Sequence, residues 1–337
     1  MSTTKGNIIQ TEDLVKKFGD TTAVNGLNLG IESGELFGLV GPDGAGKTTA
    51  IRMLVAIMNP TSGSASVLGF DTKKQSEAIK PFIGYMAQQF SMYNNLTVME
   101  NLNFFADIFS VRGEIRRERI QRLLEFSRLT EFTNRRAGHL SGGMKKKLAL
   151  ACSLIHEPDI LYLDEPTTGV DPVSRREFWD ILTQLHIDGV TILVSTPYMD
   201  EAERCSRVGL MYEGRLIECD TPAAIKDLLP GQLVELKPVT DSGHSIGVLQ
   251  QAKALVEPLP GVLEVQTYGD LLHVFVDEAG QRQDAIVTAL NQVGIDVQNM
   301  RTTKPRMEQA FISLVRRRDA QSQVPDHGSD ETEEVEA

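Results

Sequence analysis

Between residues 8 and 31 apolar and polar positions alternate, with breaks at Gly19-Asp20 and Asn25-Gly26, which predicts short antiparallel strands. The texture then changes. Residues 35–40, Glu-Leu-Phe-Gly-Leu-Val, form a compact apolar strand running into a glycine-rich turn, and 47–58 follow as a helix ended by Asn59-Pro60. Strand, loop and helix in that order open a parallel α/β unit. Further apolar strands are predicted at 82–86, 160–163 and 191–195, the later ones separated by helical stretches, as a doubly wound core with covered faces requires. From about 97 to 150 the chain is rich in helix formers, strongly charged on one side over 116–126, and reads as a helical insertion.

After Leu229-Pro230-Gly231 a second pattern begins: strand 233–236, helix 246–256, strands 263–267 and 271–276, helix 282–293 and strand 295–299. That order fits a small α+β, ferredoxin-like split unit. A helix over 306–317 follows, and 319–337 is acidic and almost free of large apolar residues, which predicts disorder. The expected organisation is therefore a main domain over 1–230, an accessory or regulatory domain over 231–318, and a disordered acidic tail over 319–337.

A chain of 337 residues exceeds the usual single core, and 41% apolar with 24% charged residues is ordinary for globular domains. The formal net charge of −12 repels phosphate backbones and argues against nucleic acid as a partner. Cys152, Cys205 and Cys219 cannot pair evenly and lack the spacing of a metal site, so they read as reduced thiols. The first residues lack a signal peptide's apolar core, and no apolar run approaches the ~20 residues of a membrane helix. If the protein acts in transport, another chain is expected to supply the pore.

Gly41-Pro42-Asp43-Gly44-Ala45-Gly46-Lys47-Thr48, followed by Thr49, has the Walker A spacing and lies between a predicted strand and helix, the context the motif needs. Its glycines let successive N–H groups curl around phosphates, and the helix directs its positive end at the same charge. Lys47 is expected to reach the β- and γ-phosphates and the Thr48 hydroxyl to bind Mg²⁺. The alternative is a glycine-rich turn with an accidental Lys-Thr. Further on, the apolar strand at 160–163 delivers Asp164 and Glu165 to its carboxyl end, as a Walker B strand does. Asp164 is expected in the Mg²⁺ shell. Glu165 is expected to accept a proton from the attacking water or orient it.

Leu140-Ser141-Gly142-Gly143-Met144 resembles the signature motif of the ABC ATPases, and it sits where they carry it, between Gln88, a Q-loop candidate, and the Walker B strand. Asp171 in Gly169-Val170-Asp171-Pro172 resembles their D-loop, and Phe18 is placed like the aromatic residue that stacks on adenine. The resemblance covers roughly residues 8–225. It implies an α/β P-loop NTPase cassette with a parallel-sheet core, an antiparallel β subdomain and a helical insertion. It also implies ATP and Mg²⁺ as cofactors, Gln88 as a metal and catalytic residue, and Ser141, Gly142 and Gly143 closing on ATP held by a second cassette, in a homodimer or heterodimer. An ordinary helix cap is the alternative reading of Ser-Gly-Gly.

Several stretches look like the ATPases of type-2 exporters, which move drugs, polysaccharides or other hydrophobic or polymeric cargo. They are 83–88, 93–102 with its Leu-Thr-Val, Glu165–Pro172, 198–203 and 306–314. That implies a separate transmembrane permease subunit, docked over 85–101, and a peripheral place on the cytoplasmic face of the membrane; the alternative reading of 85–101 is an exposed loop. A soluble ABC ATPase of a ribosome or DNA-repair complex is the runner-up, and a regulatory cassette with weak turnover is a third reading. One departure from the family matters. Pro197 stands where the family usually has a histidine contacting the γ-phosphate, and proline has neither an imidazole nor an N–H, so slow hydrolysis is expected at the site built on this chain's own Walker motifs. Asp43 stands where asparagine is usual and adds negative charge near the phosphates. His156 is read as a surface or cap residue, not a ligand.

Overall fold

The computed structural model of the chain describes residues 6–89, 92–240 and 246–322. The chain divides into two compact units, Met1–Pro222 and Ala223–Ala337.

The first unit opens with β1 (Asn7–Phe18) and β2 (Thr21–Glu32), an antiparallel pair turned at Gly19-Asp20. Asn25-Gly26 does not break the second strand, contrary to the sequence expectation. The register slips between Leu14↔Leu27 and Lys16↔Val24, and Gly26 takes φ +69°, so the irregularity is absorbed within the strand as a bulge is. β3 (Leu36–Val40) leads through the glycine-rich loop to α1 (Lys47–Leu54). The helix stops four residues short of the predicted Met58. Ala56 adopts φ +59°, its N–H donates to the Met53 carbonyl and the Ile57 N–H to that of Arg52, the Schellman closure with alanine where glycine is usual.

β4 (Ser62–Val67) and β5 (Phe70–Asp71) extend the first sheet to the order β2-β1-β4-β5. The small, polar Ser62-Gly63-Ser64 carries no strand signal of its own and becomes a strand by pairing with β1. Next come α2 (Ser76–Ile79), β6 (Ile83–Met86) and three helices of the insertion, α3 (Val98–Ile108), α4 (Gly113–Ser127) and α5 (Gly142–Leu154). Thr97 and Glu100 form a reciprocal capping box at the start of α3. The remaining elements are β7 (Ile160–Asp164), α6 (Pro172–Ile187), β8 (Thr191–Thr196), α7 (Met199–Ala202), β9 (Arg207–Tyr212) and β10 (Arg215–Asp220).

The central sheet runs β10-β9-β3-β8-β7-β6, parallel except for β10. Every residue of β3, β7 and β8 is buried, which is why these strands read as continuous apolar runs without alternation. Their register decides the function. Val40 lies beside Thr196, Asp164 beside Ser195 and Met86 beside Leu163, so four strands end along one edge and release their loops side by side.

α8 (Pro222–Asp227) carries the chain from the first unit into the second. There β11 (Gln232–Val239), α9 (Ile246–Val256), β12 (Val262–Tyr268), β13 (Leu271–Val276), α10 (Ala279–Asn291) and β14 (Asp296–Thr303) build an antiparallel sheet of order β12-β13-β11-β14. Two helices in the βαββαβ order make this the ferredoxin-like arrangement, with Val234, Leu236, Val274, Ile286 and Leu290 in its core. α11 (Met307–Ser322) is longer than predicted. Asp319 to Ser322, read as the start of the tail, continue the helix because nothing there stops it: Arg-Asp-Ala-Gln-Ser contains neither proline nor glycine. The rest of the expected disordered tail, 323–337, lies outside the described residues.

Candidate functional site

The loop after β3 is shaped by two close approaches. A Cβ on Gly41 would lie 2.1 Å from the Met211 carbonyl oxygen, and one on Gly46 would lie 2.3 Å from that of Ala23. Gly46 also takes φ 102° as the residue before α1, so larger residues are excluded twice there. Pro42 and Ala45 close the loop through an Ala45 N–H···O=C Pro42 bond of 3.2 Å, with Asp43 and Gly44 at its exposed crest. Thr49 follows in the first turn of α1.

Lys47 is buried and folds back over this loop, its Nζ donating to the carbonyls of Gly41 (2.8 Å) and Pro42 (3.0 Å) and lying 3.3 Å from Glu165 Oε1. Thr48 Oγ1 donates to Asp164 Oδ1 at 2.8 Å, and Ser195 Oγ donates to the same oxygen at 2.8 Å. Gln88, just after β6, donates its amide to Glu165 Oε2 at 2.8 Å. Lys47 and Thr48, Gln88, and Asp164 and Glu165, from three separate places in the sequence, thus form one bonded cluster at the sheet edge. Glu165 is held at φ +47°, a strained backbone for a glutamate, with its N–H bonded to Ser195 Oγ at 3.0 Å.

Asp164 is fully buried, and burial pushes its pKa up, against the lowering effect of the Ser195 and Thr48 hydroxyls. Its second oxygen, Oδ2, is buried and has no hydrogen-bond partner. An orphaned carboxylate oxygen on the residue that the Thr48 hydroxyl bonds is an oxygen donor set that suits a small hard cation. The raised pKa has a consequence for stability. A carboxyl whose folded pKa exceeds its ordinary value of 3.8 favours the fold when protonated, and that contribution is lost as pH rises through the folded pKa. In Mg²⁺-free buffer at pH 7, Asp164→Asn should therefore raise the thermal unfolding midpoint. The two proteins should converge as the pH is lowered toward about 4, and a variant less stable than wild type at pH 7 would contradict the assignment.

Ser141, Gly142 and Gly143 begin α5, and Ser141 Oγ accepts from the Met144 N–H at 3.3 Å. A Cβ on Gly143 would meet Ser174 at 2.5 Å and Val170 at 3.5 Å. Asp171 caps α6 by accepting from the Ser174 N–H at 2.9 Å, which lowers its pKa. The hydrogen bonds of the Lys47–Glu165 cluster do not reach these residues. Phe18, at the end of β1, is 49% exposed, with Lys16 Nζ 5.2 Å from its ring centroid. Pro197 directly follows Thr196, whose hydroxyl donates to the buried Glu201 at 2.6 Å. Glu201 also accepts from Thr167 at 2.6 Å. His156 is a correction: it is half-buried, stacked on Phe109 at 3.7 Å and bonded to the Ile83 carbonyl, a packing residue and not a surface or cap residue.

Sequence reasoning missed three polar residues of this region: Ser195, Glu201 and Lys146, whose Nζ donates to the Gln88 carbonyl at 2.7 Å. Ser195 alone left a usable signal, as the first polar residue after an apolar run on a parallel strand.

The ABC transporter family pattern matches residues 24–168. A daunorubicin resistance ATP-binding protein, DrrA2, of Streptomyces coeruleorubidus is 33% identical over 310 residues, covering 92% of this chain and 95% of its own. The chain belongs to the ATP-binding proteins of ABC transporters. This ABC ATP-binding protein is also 43% identical over 310 residues to the probable multidrug ABC transporter ATP-binding protein YbhF of Escherichia coli (strain K12), over 91% of the chain. It spans about half, 52%, of that relative's length. Among solved structures, cbiO1 of Clostridium perfringens, part of the ABC transporter complex cbiONQ, aligns with TM-score 0.61 and 27% identity over 66% of this chain and 92% of that one. A dimeric ATP-binding cassette in a post-hydrolysis state, bound to ADP and Pi, aligns with TM-score 0.58 and 26% identity over 63% and 98%. The ABC ATP-binding protein thus has the P-loop cassette fold, and among its described residues no helix is long and apolar enough to cross a membrane.

Proposed function

We propose that this chain binds and hydrolyses ATP with Mg²⁺ and drives an exporter through ATP-dependent pairing of two cassettes. The observation that carries the reading is the convergence of Lys47 and Thr48 with Asp164, Glu165 and Gln88 at one sheet edge. Lys47 holds the β- and γ-phosphates in place of the loop carbonyls. Thr48 and Asp164, with the Gln88 amide oxygen, hold Mg²⁺, which neutralises phosphate charge when bound. Glu165 orients the attacking water or takes its proton. The positive end of α1 and the N–H groups of the loop from Gly41 to Gly46 face the phosphates. Phe18 stacks on the adenine.

Ser141, Gly142 and Gly143 do not bond to this cluster, which supports their use on the nucleotide of a second cassette, with bare N–H groups and a helix N-terminus facing its γ-phosphate. Asp171 lies at the same junction. The second cassette carries the histidine that Pro197 replaces here. The length left over in YbhF, about half of that protein, has room for such a second cassette. Relatives named for multidrug transport, daunorubicin resistance and Nod factor export support cargo moving outward.

A separate transmembrane permease docks over 85–101, of which Phe90 and Ser91 lie outside the described residues. The exposed apolar side chains Ile57 and Ile108, which line an open groove together with Pro81 and Tyr85, support a protein partner there. The chain then sits peripherally on the cytoplasmic face of the membrane. The domain over 231–318, within the second unit, serves as an accessory or regulatory domain. The alternative of a regulatory cassette with weak turnover rests on Pro197. Steady-state turnover separates the two readings. Phosphate release should require Mg²⁺ and fall at least about a hundredfold in Lys47→Ala, whereas release insensitive to both would contradict hydrolysis at this site.

A further inference from the structure

Helix α5 buries two neighbouring lysines, and they are satisfied differently. Lys147 pairs with the Glu177 carboxylate of α6. Lys146, 8% exposed, donates to a neutral acceptor, the main-chain carbonyl of Gln88, at 2.7 Å, and among the described residues no carboxylate forms an ion pair with it. Taking an ammonium out of water for one carbonyl costs the fold stability, and a methionine would fill the same space at less cost. A local choice that weakens the fold without a structural return points to function.

The surroundings indicate which function. Burial pushes the Lys146 pKa down while the carboxylates of Asp164 and Glu165 act in the opposite sense, so the ammonium lies in the field of the two acids of the site. The carbonyl it holds belongs to the residue whose side-chain amide donates to Glu165 Oε2 at 2.8 Å. Glu165 is in turn 3.3 Å from Lys47. A continuous set of polar contacts therefore runs from α5 through Lys146 and Gln88 to Glu165 and Lys47. Its far end is the helix that opens with Ser141, Gly142 and Gly143.

We propose that Lys146 is a positioning residue: by fixing the main chain at Gln88 it sets the direction of the Gln88 amide and, through it, of Glu165. The inference rests on the reading of Glu165 as the hydrolytic residue. Its consequence is communication between sites. When the N-terminus of α5 closes on the nucleotide of a second cassette, the displacement is carried by the Lys146 contact to this chain's own Gln88 and Glu165. Each nucleotide thereby influences hydrolysis of the other.

The test is steady-state ATP turnover by the full chain with Mg²⁺, in wild type, Lys146→Met, Lys146→Arg, Gln88→Ala and Lys146→Met/Gln88→Ala, with Glu165→Gln as the control. Lys146→Met should lower kcat about ten- to a hundredfold, the scale of a misplaced reacting group, with KM for ATP within about twofold. Lys146→Arg, which keeps a cationic donor, should recover most of the loss. On the Gln88→Ala background Lys146→Met should cost nothing further, because both act through one group. An unchanged kcat in Lys146→Met would overturn the proposal. So would an undiminished extra loss on the Gln88→Ala background, or a loss that follows a lowered melting point and is not recovered by arginine, both signs of packing alone. If wild type and Glu165→Gln turn over equally, the hydrolytic reading fails and takes this inference with it. An active wild type, a dead Glu165→Gln and an unaffected Lys146→Met remove only the role of Lys146.

Discussion

Glu165→Gln should lower ATP turnover about a thousandfold while leaving nucleotide binding intact, the cost expected when a general base is removed and its shape kept. Glu165 is buried, accepts from Gln88 and faces Lys47, so the substitution changes charge and proton affinity with almost no change of volume. Its backbone is held at φ +47° by bonds to Ser195, a strain that places the carboxylate beyond the end of β7. Phosphate release measured with saturating Mg²⁺·ATP, beside a binding measurement with the same protein, checks the expectation. Equal turnover in the two proteins would move the hydrolytic role elsewhere.

Pro197→His should act in the opposite direction and raise turnover about a hundredfold, the usual value of one hydrogen bond that strengthens in the transition state. The loop is ready to display such a side chain. Thr196 before it is tied to Glu201 through its hydroxyl, the Tyr198 N–H after it donates to Thr196 Oγ1 at 3.0 Å, and the Arg175 guanidinium covers the Tyr198 ring at 4.1 Å. A residue at 197 is therefore held between two anchored neighbours, and replacing proline restores an N–H and an imidazole without having to order a loop. Single-turnover and steady-state rates of the variant against wild type decide the matter. An unchanged rate would mean that Pro197 is not what limits this site.

Much of this was legible in the residues because the site chemistry depends on spacing. The loop from Gly41 to Thr48 and the strand ending in Asp164 could be placed from apolar runs and breakers, since fully buried parallel strands leave a strong signal. β4 could not, because Ser62-Gly63-Ser64 is a strand only by virtue of β1 beside it. The end of α1 was misplaced because alanine, not glycine, takes the left-handed position at 56. Within the site, Glu201 and Lys146 left no trace in the sequence. A buried glutamate held by two threonine hydroxyls, and a lysine reaching a carbonyl 58 positions earlier in the chain, are products of tertiary packing. His156 was misjudged for the same reason: its stacking on Phe109 joins residues far apart in the chain.

The central physical proposal is that bound ATP fastens the Lys47 face of one cassette to the Ser141–Gly143 face of another. Sedimentation of the Glu165→Gln chain, alone and mixed with an ABC cassette that carries histidine at the position of Pro197, tests this most directly. Mg²⁺·ATP should convert separate chains into a two-cassette species that Ser141→Arg abolishes. Mass unchanged by ATP in both mixtures would contradict the account.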